Sequence, residues 1–157
     1  MGDKIRMRKI ILILVFGLFV CASSVHAQTN ISESDKAAIR QTALDYIEGW
    51  YEGDAERMER ALHPDLAKRI VRPNPDNKNF SRLDQMSALS LIQGTKRGGG
   101  KLTPKEKQLK EITILDSFEN AASVKIVASD WIDYLHIAKL NGRWVIVNVL
   151  WELKPQK

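Results

Sequence analysis

The chain has 157 residues, with 24 Lys and Arg, 19 Asp and Glu, and a single Cys. Much of the excess positive charge is concentrated at the start: residues 1–27 hold four of the basic side chains and one acid, which leaves 130 residues at a formal charge of only +2. That near balance speaks against a nucleic-acid partner. Cys21 also falls within residues 1–27, so disulfides, thiolate catalysis and Cys-ligated metal are excluded for residues 28–157.

Residues 1–27 have the parts of a secretory signal. Lys4, Arg6, Arg8 and Lys9 precede the apolar run Ile10–Val20, and Val25-His26-Ala27 places small residues where a signal peptidase acts. The run is shorter than the roughly 20 residues a spanning helix needs, so no stable membrane insertion is expected after cleavage. Val20 before Cys21 argues against an acylated lipoprotein. The expectation is cleavage after Ala27, an exported protein, periplasmic or secreted, and one domain over residues 28–157.

Ser32 with Asp35 resembles a capping box, and Ile39, Ala43, Tyr46, Ile47 and Trp50 recur at helical steps. Gly53 ends that helix, and Asp54 caps a shorter one through Leu62. His63-Pro64-Asp65 predicts a turn, Leu66–Val71 a short strand and Arg72–Phe80 a loop. A third helix is expected from Ser81 or Asp84, with Leu83, Met86 and Leu89 inward. Gly94–Gly100 then reads as a flexible break. Thr95–Lys101 fails as a phosphate loop, because Thr95 stands where Gly is needed and Leu102 where Ser or Thr would be.

Beyond Lys110 the period changes to two. Glu111–Asp116, Ala121–Ala128, Trp131–Leu140 and Arg143–Leu153 read as strands, the last two joined at Asn141-Gly142, a strong hairpin signal. Helices followed by antiparallel strands imply an α+β domain.

Four segments carry a resemblance: Tyr46–Asp54, Ala61–Asp65, Trp131–His136 and Asn141–Trp144. Together they resemble the putative lumazine-binding branch of the nuclear transport factor 2-like (SnoaL-like) superfamily. The resemblance implies a cone of three N-terminal helices on a curved antiparallel sheet, usually a homodimer, with a cavity for a ligand or an active site. It does not by itself assign an activity. Enzymatic relatives use a tyrosine of the first helix, a carboxylate base and a protonated acid on the sheet. Tyr46, eight residues before Asp54, matches that tyrosine, whereas the base position falls at about Ile70, where there is no acid.

Asp133, in an otherwise largely apolar strand, is a cavity acid, half of an ion pair with Arg or Lys from a neighbouring strand, or a residue of an exposed sheet edge, since a lone carboxylate facing an apolar cavity would be costly. Asp130, Asp133 and His136 look like metal ligands, but alternate facing along a strand separates them, and no metal is expected. Two registers remain open. A two-residue loop at Asn141-Gly142 places Asp133 with Trp144, Ile146 and Asn148. A three-residue loop with a bulge places it with Trp131, Leu135, Val145, Val147, Val149 and Trp151, which is the favoured reading because that set resembles a cavity wall. His63 either enters the cavity mouth or caps the second helix. Trp50 and Trp144 fit a core role, while Trp131 and Trp151 could stack on a flat heterocycle.

The candidate ligand set is therefore Tyr46, Trp50, His63, Trp131, Asp133 and Trp151, with Asp133, Tyr46 and His63 as catalytic candidates and no cofactor implied. The leading reading is an exported, non-enzymatic protein binding a small, partly aromatic ligand. An isomerase, cyclase or dehydratase acting through Asp133 with Tyr46 or His63 is the second. A homodimeric interaction module of the cell envelope is the third.

Overall fold

A computed structural model describes residues 31–155. The export segment expected at residues 1–27 lies outside them. Among the described residues, no helix is long and apolar enough to cross a membrane. Three helices lie on a six-stranded mixed sheet. In chain order the elements are α1 (Glu33–Glu52), α2 (Ala55–Ala61), β1 (Leu62–Pro73), β2 (Ser81–Ser87), α3 (Ala88–Lys96), β3 (Glu111–Phe118), β4 (Ala121–Val127), β5 (Trp131–Leu140) and β6 (Arg143–Leu153). The sheet order is β2-β1-β6-β5-β4-β3.

Helix α1 begins where expected: Ser32 caps it, accepting from the Asp35 amide at 3.1 Å. It ends at Gly53, whose φ of 67° lets its amide return to the Gly49 and Trp50 carbonyls. Asp54 then caps α2 through the Arg57 amide. The buried side of α1 carries Ile39, Ala43, Tyr46 and Ile47, and Thr42 places its hydroxyl 2.9 Å from the Trp144 carbonyl of β6. On the other side Arg57 gathers Asp45 at 2.9 Å, Glu52 at 3.2 Å and Glu48. Lys110, just before β3, reaches Glu48 at 2.6 Å. These pairs clamp α1, α2 and the entry to β3.

Three expectations about the elements are corrected. Ser81–Ser87 is strand β2, and the third helix starts only at Ala88, capped by Ser87. Leu83 and Leu89 are not inward-facing; they are 58% and 64% exposed. Their spacing with Met86 straddles a strand-to-helix junction and so mimics a helical stripe. The third helix therefore follows two strands, and is not part of an N-terminal group. The sheet, expected to be antiparallel, is mixed, because β1 runs parallel to β6. His63-Pro64-Asp65 lies inside β1, where the pairing with β6 is irregular between Leu62 and Ala67. Pro64 has no amide to give a ladder, so the break falls where the chain cannot pair.

The β5–β6 turn combines the two registers considered above. Leu140 pairs with Arg143 across a two-residue loop, with Asn141 at φ 50° and Gly142 at φ 79°. The phase then slips between His136 and Ile137, leaving Val147 as the extra residue of β6. Trp144 and Ile146 thus join the inner face on one side of the bulge, and Val149 and Trp151 on the other. Leu135, Ile137, Ile146 and Val149 are each no more than 1% exposed and form the centre of the core.

Asp35 links the start of α1 to this hairpin. Its carboxylate accepts from Lys139 at 2.7 Å, Trp144 Nε1 at 2.8 Å and Ser32 at 2.9 Å. The Lys139 bond, then those from Trp144 and Ser32, lower its pKa from 3.8 to about 2. A carboxyl held lower in the folded chain than in the unfolded one contributes stability above its unfolded pKa. That contribution is lost as pH falls through the folded value. Acid unfolding of Asp35→Asn followed by circular dichroism checks this. The wild type is expected to be more stable at pH 6, with the difference between the two narrowing between about pH 4 and pH 2.

Candidate functional site

Period-two geometry delivers a lysine to the inner face of β1. Leu66 and Ile70 are 3% and 4% exposed, and Lys68 between them points the same way at 6%. The parallel register sets Lys68 beside Val149, while β5 sets Asp133 beside Trp151. Lysine and aspartate thus approach each other across β6, above the Trp151 side chain, and α1 brings Tyr46 down onto them.

The contacts are short and buried. Lys68 Nζ donates to Asp133 Oδ1 at 2.6 Å and to Tyr46 Oη at 2.7 Å. Trp131 Nε1 donates to Asp133 Oδ2 at 2.6 Å. Lys68 Nζ also lies 4.7 Å from the centre of the Trp151 ring, a cation–π distance. Asp133 has no exposed surface. An isolated carboxylate there would cost several kcal/mol, and the pair with Lys68 is what makes the position tenable. Burial pushes the Lys68 ammonium below its ordinary pKa, with the Asp133 charge opposing. Burial, then the Asp133 charge and a hydrogen bond to it, raise the Tyr46 hydroxyl well above its own, so it keeps its proton.

Between this triad and the helices is a cavity of about 380 Å³, within the range of small-ligand sites. Trp50, Trp131 and Trp151 supply aromatic surface, and Met58, Met86, Leu91 and Leu153 aliphatic surface. Tyr46 and Lys68 are polar groups in its wall; Leu102, 90% exposed, stands at its rim. Tyr51 packs against Trp131, with ring centres 5.9 Å apart. Its hydroxyl bonds to the Leu109 carbonyl and to Ser129. The Trp131 indole is thereby held from both sides.

The other sequence-derived candidates fall as follows. Trp50, Tyr46, Trp131 and Trp151 all line the cavity, and Asp133 lies directly behind Lys68 and Trp131. His63 is not among the lining residues; it is half-buried, and its Nδ1 accepts from the Asp65 amide at 3.1 Å. His136 lies on the opposite side of β5, beside a smaller recess of about 210 Å³. Among the described residues, no three His, Cys, Asp or Glu side chains are grouped for a metal ion.

Lys68 was not singled out by the sequence, and Met86 was expected inward only as part of a helix. The signal for Lys68 was present: once Leu66–Val71 is a strand with Leu66 and Ile70 inward, residue 68 must be inward too. Searching β1 for an acid drew attention to Ile70 instead. Met86 was hidden by the helical reading of its segment.

The segment expected to be a flexible break is tightly packed. Gly99 and Gly100 lie against the Trp50 indole and backbone, and Gly98 and Gly99 return amides to the Thr95 and Gly94 carbonyls. Trp50 is therefore fixed as a cavity wall by glycines that let the chain approach it.

The model of the family described as "putative lumazine-binding" matches residues 34–152. None of the curated proteins matches the chain. Solved structures share the fold. An NTF2-like protein of unknown function from Shewanella baltica OS155 is 21% identical, with a TM-score of 0.61 over 81% of this chain and 100% of its own. One from Methylobacillus flagellatus KT is 20% identical, with a TM-score of 0.62 over 82% and 98%. A protein from Novosphingobium aromaticivorans DSM 12444, named as a putative scytalone dehydratase, is 15% identical, with a TM-score of 0.51 over 78% and 85%. At these identities the likeness is one of fold. The family match, by contrast, extends from the second residue of α1 to the penultimate residue of β6 and takes in every residue of the triad: the chain belongs to the putative lumazine-binding family.

Proposed function

We propose that the chain is an exported binding protein for a compact, partly aromatic small molecule. The observation that carries this reading is the tryptophan-walled cavity with Lys68 and Tyr46 in its wall and Asp133 directly behind them. An ammonium has three N–H donors. Two go to Tyr46 and Asp133, leaving one for an acceptor group of the ligand. The tryptophans supply flat apolar surface for stacking.

A thermal-shift screen of compact aromatic heterocycles tests this. Stabilising compounds are expected, with Trp151→Ala weakening their binding about tenfold, or about 1.4 kcal/mol. A screen with no stabilising compound, or binding indifferent to Trp151→Ala, would count against it.

A second reading, an isomerase, cyclase or dehydratase, draws support from Asp133 and Tyr46 meeting at one cavity and from the dehydratase name of one structural neighbour. Both Asp133 oxygens are engaged, by Lys68 and Trp131, so a substrate would have to displace one of them before Asp133 could act as a base. The binding reading needs no such displacement.

Homodimerisation belongs to the same proposal. Val71, Leu83, Tyr134 and Leu150 are 45–58% exposed on the sheet face away from the helices, where apolar side chains would benefit from a cover. Sedimentation velocity is expected to show a dimer at micromolar concentration; a monomer throughout would remove this part of the reading.

A further inference from the structure

We propose that Lys68 is a carbonyl-capturing amine, which condenses with a small aldehyde or ketone in the cavity to form an imine. The inference rests on the small-molecule reading above and narrows it to a ligand class. Three features of the geometry point to it. The Lys68 side chain is only 7% exposed, yet it belongs to the wall of a cavity large enough for a compact organic molecule. Its Nζ is held at fixed distance from a carboxylate that can take its proton and a hydroxyl that can deliver one. The surrounding wall is mostly apolar and aromatic, with Asp130 and Thr103 as its other polar residues and the Trp151 ring 4.7 Å from the amine. Burial of this kind also favours the neutral, nucleophilic form of a lysine, and desolvated lysines of this sort make Schiff bases. An amine needed only to neutralise Asp133 would have no reason to stand in the wall of the cavity.

The step balances within the triad. Asp133 Oδ1 takes one proton from the Lys68 ammonium. The freed nitrogen lone pair forms a bond to the carbonyl carbon as the C–O π bond breaks. The oxygen receives the Tyr46 proton, and Tyr46 recovers one from the attacking nitrogen, giving a carbinolamine. Asp133 returns its proton to the carbinolamine hydroxyl, which departs as water while the nitrogen lone pair closes the C=N bond. The Lys68 ammonium and the carbonyl become a protonated imine and water; nothing is oxidised or reduced, and the iminium inherits the pairing with Asp133.

The test treats the purified protein with benzaldehyde and cyanoborohydride, which reduces an imine to a stable N-benzyl amine, and maps the adduct by peptide mass spectrometry. Benzyl alcohol, of similar size but unable to condense, is titrated in parallel by tryptophan fluorescence. The expected result is one dominant adduct at Lys68, formed at least ~10-fold faster than at half-exposed lysines such as Lys36 and Lys110. Lys68→Arg, which keeps a cation beside Asp133, should abolish that adduct. Tyr46→Phe should slow it at the same position. If benzyl alcohol binds but the adducts spread over surface lysines and spare Lys68, the covalent inference fails and the binding reading stands. If benzyl alcohol and benzaldehyde leave the fluorescence unchanged and Lys68 is unlabelled, both fail. Because mapping is done on the wild type, the outcome does not depend on any variant folding.

Discussion

Lys68→Met is expected to cost the fold about 3–5 kcal/mol, because it leaves Asp133 charged in a position with no access to water. The Trp131 indole would remain as a donor to Oδ2, which cannot replace the lost cation. The paired variant Lys68→Met with Asp133→Asn should recover most of the loss, since it removes both charges and keeps a polar group within reach of Trp131. Urea unfolding of the two single variants and the double variant measures this as a coupling energy. A Lys68→Met protein within 1 kcal/mol of wild type would mean that Asp133 is not charged beside Lys68, contrary to the geometry. Such a result would also leave burial alone, without the Asp133 charge, to raise the Tyr46 pKa, so the stability measurement bears on the site as much as on the fold.

Gly100→Ala is expected to cost about 1–3 kcal/mol and to disturb the cavity as well. A Cβ at this position would stand 2.3 Å from the Trp50 carbonyl oxygen and 2.6 Å from its Cδ1. The first of these is backbone, so the turn after α3 or the end of α1 has to move. Gly142→Ala provides the contrast: nothing lies within 4 Å of its Cβ, and only the φ of 79° opposes it. Melting temperatures should fall for both, but only Gly100→Ala should change the environment of Trp50, read from its indole resonance. Equal effects on that resonance would contradict the close packing of residues 98–100 on Trp50.

The features legible from the sequence were those with local causes. Ser32 and Asp35 marked the start of α1, Gly53-Asp54 the junction with α2, and Asn141-Gly142 the final hairpin, because each encodes a cap or a turn within four residues. Trp131, Trp151 and Asp133 shared a face in the favoured one of the two registers left open, and Tyr46 was picked out through the family resemblance. What escaped depended on contacts distant in sequence. The parallel pairing of β1 with β6 joins residues roughly 80 positions apart, and nothing in either strand announces it. The run Val145–Val149 is apolar at four of its five positions, so either phase buries hydrophobic residues and the Val147 bulge leaves no mark. Ser81–Ser87 was misread because Leu83, Met86 and Leu89 satisfy helical spacing across an element boundary. The ion pair that dominates the site combines both cases: Lys68 was derivable from Leu66 and Ile70, but its meeting with Asp133 was not.

Binding of a small molecule in the tryptophan-walled cavity is reported directly by the four indole N–H groups of the chain. Trp50, Trp131 and Trp151 line the cavity, whereas Trp144 is absent from its walls and donates to Asp35. A proton–nitrogen correlation spectrum recorded during titration with a compact aromatic heterocycle that passes the thermal-shift screen therefore carries its own control. Saturable shifts of the Trp50, Trp131 and Trp151 indole resonances, with Trp144 unmoved, are the predicted result. Saturable binding that leaves those three in place would contradict the account.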